Sequence, residues 1–233
     1  MHRTLLLAFW FAASCSSQAP FPADPVKPKP EPAEVEPNET EPIQSDAAAG
    51  HILGVMQTQG GLILQVDSGG CRKPADVSFT VVAGKLSIAA VTPDHCEAEV
   101  PLGEELLFPW AELPTFGELG IIPGPASVLQ PGTTAGPTTA PVGAIDEPIY
   151  GVLVKPDGLD IRVSSGGCTN VEHFTAWIEP GATELVHLVR TKLDSCEAYV
   201  PEGKLLHFTW AQLGVTKSAA RLVNPLDELV LKK

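Results

Sequence analysis

The sequence predicts an all-β protein: two tandem homologous small antiparallel β-sandwich or barrel domains, each with one disulfide, behind a disordered Pro/Glu-rich stalk. Three observations predict it. Apolar residues alternate at period two, the chain aligns with itself at an offset near 97, and each aligned copy holds its own pair of cysteines. The balance of 15 Lys plus Arg against 28 Asp plus Glu, a net charge of -13, argues against nucleic acid as a partner, because phosphate recognition needs a clustered basic face.

The first 14 residues read as a secretory signal peptide. Arg3 supplies the charge, Leu5 to Phe11 the short apolar core, and Ala12, Ala13 and Ser14 the small residues of a cleavage site. The apolar run is shorter than the roughly 20 residues that span a bilayer. Ala12-Ala13-Ser14-Cys15 resembles the lipobox of bacterial lipoproteins. The resemblance implies that Cys15 carries a lipid such as palmitate and becomes the mature N-terminus, anchoring the protein to a membrane. In such proteins an aspartate after the lipidated cysteine retains the protein at the inner membrane; Ser16 stands here, which implies the outer membrane of the bacterial cell envelope.

Residues 15–49 form the stalk. Eight prolines from Pro20 to Pro42 alternate with glutamates, and there is almost nothing to bury. Extended polyproline II at about 3.1 Å per residue would give a reach on the order of 100 Å.

Residues 51–71 then align with 148–168, with identities at Ile52/Ile149, Gly54/Gly151, Val55/Val152, Gly61/Gly158, Leu62/Leu159 and Val66/Val163, followed by Ser68-Gly69-Gly70-Cys71 against Ser165-Gly166-Gly167-Cys168. Later in the copies Asp94, Cys96, Glu97, Phe108 and Trp110 recur as Asp194, Cys196, Glu197, Phe208 and Trp210. The copies run over 50–131 and 147–225, joined by a Thr/Pro/Gly linker at 132–146 and followed by a tail at 226–233. A period near 100 with a linker between copies indicates duplicated domains rather than a solenoid.

Within each copy, Leu62, Leu64 and Val66, and likewise Leu159, Ile161 and Val163, fall on one side of a half-buried strand. Shorter apolar runs, among them Ile52–Gln57, Val77–Val82 and Leu86–Val91, supply the rest of six or seven strands. The one helical signal is Thr209 to Gly214, with a capping threonine and a closing glycine, and Trp110 and Trp210 are expected to plug the ends of the cores. Because a duplicated domain must satisfy itself, the cysteines pair as Cys71–Cys96 and Cys168–Cys196, in an oxidising compartment.

Ser68, Gly69, Gly70 and Ser165, Gly166, Gly167 are the candidate binding residues, their amides forming a possible anion nest. Asp67-Ser68-Gly69-Gly70 superficially resembles the nucleophile segment of chymotrypsin-type proteases, but the second copy reads Ser164-Ser165-Gly166-Gly167 and one copy is too short for a double barrel. His173, His187 and His207 have no counterparts in the first copy, and Asp94/Glu97 with Asp194/Glu197 offer too few ligands for calcium, so no metal and no cofactor are expected. The residues shared by the copies are those of a scaffold, which points to a non-catalytic binding or envelope-interaction module whose ligand is a protein or a cell-wall polymer. An inhibitor of secreted or periplasmic proteases is the alternative, its rigid loops following Cys71 and Cys168.

Overall fold

The computed structural model describes residues 52–98, 100–198 and 200–227. The signal peptide, Cys15, the stalk and the last residues of the tail lie outside the described residues.

The first copy contributes β1 (Ile52–Gln57), β2 (Gly61–Ser68), β3 (Val77–Val82), β4 (Lys85–Val91), β5 (Val100–Pro109), β6 (Glu118–Leu119) and β7 (Ala126–Ser127). The second contributes β8 (Ile149–Lys155), β9 (Gly158–Val163), β10 (Phe174–Glu179), β11 (Glu184–Arg190), β12 (Lys204–Thr209) and β13 (Ala219–Leu222). The described chain is thus mostly β, as the period-two pattern predicts. Leu62, Leu64 and Val66 are fully buried, and so are Ile161 and Val163.

Thr209 caps the helical turn Trp210–Leu213, its hydroxyl accepting from the Gln212 amide, and Gly214 closes the turn at φ 75°. Trp210 is 1% exposed and sits in the second core. Trp110 instead opens a 3-10 turn, Trp110–Glu112; it packs at the margin of the first core and donates its indole N–H to the Thr58 carbonyl.

The sequence reading of two domains on a flexible linker needs correction. One six-stranded antiparallel sheet, ordered β12-β9-β8-β1-β2-β5, runs through both copies. At its centre β1 pairs with β8, Val55 opposite Val152 and Met56 opposite Gly151. Val55 and Val152, which the sequence alignment sets against each other, thus stand opposite one another in neighbouring antiparallel strands. Gly54 and Gly151 sit at this seam. A Cβ on Gly151 would lie 2.5 Å from the Met56 Cα, and one on Gly54 2.7 Å from the Val152 carbonyl oxygen, so no side chain fits at either.

Gln65, 2% exposed, closes the seam. Its amide nitrogen donates to the carbonyls of Leu102 and Val154, and its oxygen accepts from the Val154 amide at 2.7 Å. A side chain thereby bonds Val154, two residues beyond the Val55–Val152 pair, where β1 carries an irregularity between Ile52 and Gly54. Leu53 and Leu102 of the first copy pack against the second core, and Leu226 against both.

The linker is also not free. β7 pairs with β13, the amides of Gly132 and Gly136 donate to the carbonyls of Val215 and Gly214, and the Pro137 carbonyl accepts from the Ile178 amide of β10. Backbone bonding satisfies a segment with no apolar periodicity, which is why composition alone reads as a spacer. The second copy consequently carries a four-stranded sheet, β10-β11-β13-β7, and the first a three-stranded one, β3-β4-β6.

Candidate functional site: the two disulfide-tied turns

Each candidate turn follows the second strand of its copy. Cys71 is bonded to Cys96 and Cys168 to Cys196, as the copying of cysteine pairs predicts. Gly70 and Gly167 take φ 94° and φ 107°, in the left-handed region that favours glycine. Gly69 and Gly166 pass so close to the carbonyls of Cys96 and Cys196 that a Cβ would fall 1.9 Å and 2.2 Å from those oxygens. Ser-Gly-Gly before a bridged cysteine is therefore a packing requirement.

The anion-binding capacity of these turns is filled from within the chain. Asp94 accepts from the amides of Gly69 (2.8 Å) and Cys96 (3.0 Å) and from the Ser68 hydroxyl (3.0 Å). Asp194 repeats the arrangement with Gly166, Cys196 and Ser165, and adds the amides of Cys168 and Thr169 and the Thr169 hydroxyl at 2.6 Å. Hydrogen bonds to the charged form, that from the Cys96 amide foremost, hold the Asp94 carboxyl down at about 2. The Thr169 hydroxyl is the leading cause of a larger depression at Asp194. Glu97 and Glu197, which the sequence places beside these aspartates, are exposed.

A guanidinium stands behind each turn, buried at Arg72 and half-buried at Arg190, and sequence comparison of the copies missed both because they come from different positions. In the first copy Arg72 donates to the carbonyls of Asp67 and Thr92 and pairs with the Asp67 carboxylate at 3.4 Å. In the second, Arg190 of β11 donates to the carbonyl of Ser164, the repeat equivalent of Asp67, pairs with Glu147 at 2.6 Å and lies over the Phe174 ring. Arg190 also reaches the Thr169 hydroxyl, so Glu147, Arg190, Thr169 and Asp194 form one chain of hydrogen bonds. The signal that could have found them is a lone arginine next to a cysteine or at the end of an otherwise apolar strand.

The protease-like reading of Ser68 has no geometric support. Its hydroxyl oxygen lies 3.0 Å from Asp94 and 2.9 Å from Glu104 and accepts from the Gly70 amide, so it faces carboxylates instead of a histidine base. Among the described residues the three histidines join no shared cluster of ligating groups. His187 stacks on Trp177 at 3.7 Å with Nδ1 on Asp146, and His207 pairs with Asp160 at 2.8 Å. Among the described residues, the gatherings of metal-ligating groups are Cys71, Asp94, Cys96 and Cys168, Asp194, Cys196. Their sulfurs are in disulfides, which removes the thiolates a metal would need.

Beside the second turn an open groove is lined by Tyr150, Ser164, Arg190, Leu193 and Pro201. Leu193 is 88% exposed at its rim. Comparison with protein families, with characterised proteins and with solved structures finds no match to this chain.

Proposed function

We propose that this protein is a lipid-anchored, exported envelope protein that binds a partner and performs no chemistry. One observation carries the reading: the polar groups most suggestive of a site, the two Ser-Gly-Gly turns with their aspartates, are engaged in holding the turns together. A site that performs general acid-base or nucleophilic chemistry keeps a nucleophile and a base within reach of each other and of a substrate. Here the serines bond carboxylates, the arginines are paired, and both aspartates are spent on amides. Two disulfide-tied turns suit an oxidising, extracytoplasmic compartment. The lipobox-like Ala12-Ala13-Ser14-Cys15 supplies the anchor, the repeated sequence a duplicated scaffold, and the outer membrane the address.

The test uses the full chain expressed with its leader and the same chain carrying Cys15→Ser. The first should sediment with membranes and the second be released. The released chain should bind cell-wall polymer or an envelope protein saturably and leave a panel of secreted proteases uninhibited. Turnover of a substrate that is abolished by one polar substitution would overturn the binding reading, and potent inhibition of a protease would replace it with the inhibitor reading.

A further inference from the structure

Trp110 and Trp210 recur at the same place in the sequence alignment of the copies, yet their indole N–H groups have different surroundings. The Trp110 N–H donates to the Thr58 carbonyl at 2.9 Å. Trp210 is 1% exposed, and its Nε1 is buried with no acceptor among the described residues. A buried donor left unpaired is costly, so folded proteins nearly always give it a partner. Arg221 on β13 presents a second case. Its side chain is half-buried, its Nε is buried without an acceptor, and no carboxylate among the described residues pairs with its guanidinium.

Trp210 and Arg221 border the same cavity, inside the second core beside β9 and β13, with room for one water-sized body. Ala126 and Ala220, both buried, are register partners in the β7–β13 pair and also border it, so two methyl groups stand where larger side chains would fill the space. Leu53 of β1 reaches the cavity from the first half. Apart from Trp210 and Arg221, every side chain at the border is apolar. The side chains thus offer two donors, one of them on a cation, and no acceptor. A water molecule brings two hydrogens that need acceptors of their own. A monatomic anion brings none, and a guanidinium both bonds it and balances its charge.

We propose that this cavity is a binding site for one chloride ion, held between the Trp210 indole N–H and the Arg221 Nε–H. The ion fastens the helical turn that begins at Trp210 to β13. The test follows urea unfolding of the full chain in sodium chloride, in sodium bromide and in sodium gluconate at equal ionic strength, gluconate being too large for the space. An ion bound by the folded state alone raises the folding equilibrium constant about tenfold for each tenfold rise in its concentration above the dissociation constant. That rise should appear with chloride and bromide, be missing with gluconate, and be lost in Arg221→Gln, which removes the cation, and in Ala126→Val, which fills the space and keeps both donors. Crystals grown in bromide should show an anomalous peak bordered by Trp210 Nε1 and Arg221 Nε. Equal stabilisation by chloride and gluconate overturns the proposal, as does a halide dependence unchanged in Arg221→Gln. A peak in the cavity without anomalous signal overturns it too, since that peak is a water molecule.

Discussion

Gln65→Leu removes the side chain that joins the two halves beside the irregularity of β1 between Ile52 and Gly54. The substitution keeps the volume of a 2%-exposed position roughly filled, so its effect isolates the hydrogen bonds. Three are lost: one accepted from the Val154 amide and two donated to the carbonyls of Leu102 and Val154. A buried amide left without an acceptor costs about 1–3 kcal/mol, and the carbonyls, each with a second lone pair, add less. The variant should therefore be destabilised by about 2–4 kcal/mol. Urea unfolding under oxidising conditions, followed by tryptophan fluorescence, reads it out, because Trp110 reports on the first half and Trp177 and Trp210 on the second. If the halves are one body, there is one transition, and it moves as a whole to lower urea. A loss below about 0.5 kcal/mol, or two transitions of which only the first moves, would refute the seam as described.

Other consequences are open to measurement. Peptide mapping without reduction should recover Cys71–Cys96 and Cys168–Cys196, and on the chain-entropy model the closed stretches of 25 and 28 residues predict a loss of about 3.5 kcal/mol for each bond removed by paired Cys→Ala substitution; a Cys71–Cys168 peptide would contradict the fold. Because the Asp94 carboxyl is held down at about 2 against 3.8 when unfolded, its contribution is complete above the unfolded value and is lost as pH falls from about 5 toward 2. Asp94→Asn should flatten that acid limb of the stability profile, and an unchanged limb would remove the carboxylate from the account. A chain of residues 126–227 alone exposes the pairing edge of β8 and should self-associate through it, as analytical ultracentrifugation would show; a monomer at all concentrations would mean that the edge is protected some other way.

Strands and cross-links were legible because each follows from a local or repeated signal. Alternation marked β2 and β9, and the paired recurrence of cysteines selected their bonds among three possibilities. The capped turn at Thr209 to Gly214 carried its own start and stop residues. What the sequence could not convey were contacts decided by the backbone. Nothing in Val55 or Val152 announces that they face each other, and the Thr/Pro/Gly stretch reads as spacer because its partners bind carbonyls and amides common to every residue. The tight turns and the close approach of Gly69 and Gly166 to the cysteine carbonyls were legible in Ser-Gly-Gly-Cys for a steric reason. The anion in the nest was hidden in plain sight: Asp94 and Asp194 recur at the same offset as the second cysteines, but adjacency in space to a segment 25 residues upstream has no local signature. The two arginines escaped comparison of the copies because Arg72 and Arg190 reach one location from unequal places, just as the edge-to-face partner of Phe108 is Phe79 while that of Phe208 is Phe174.

The antiparallel seam also sets the direction in which the molecule can engage its surroundings. Val66, at the end of β2, lies beside Ile52, and Val163, at the end of β9, beside Ile149, while β1 and β8 run in opposite senses. The two disulfide-tied turns therefore stand at opposite ends of one sheet and look away from each other. One shared sheet of hydrogen-bonded strands holds the two turns at a fixed span, so neither can shift along the strand direction without disturbing the pairing at the centre.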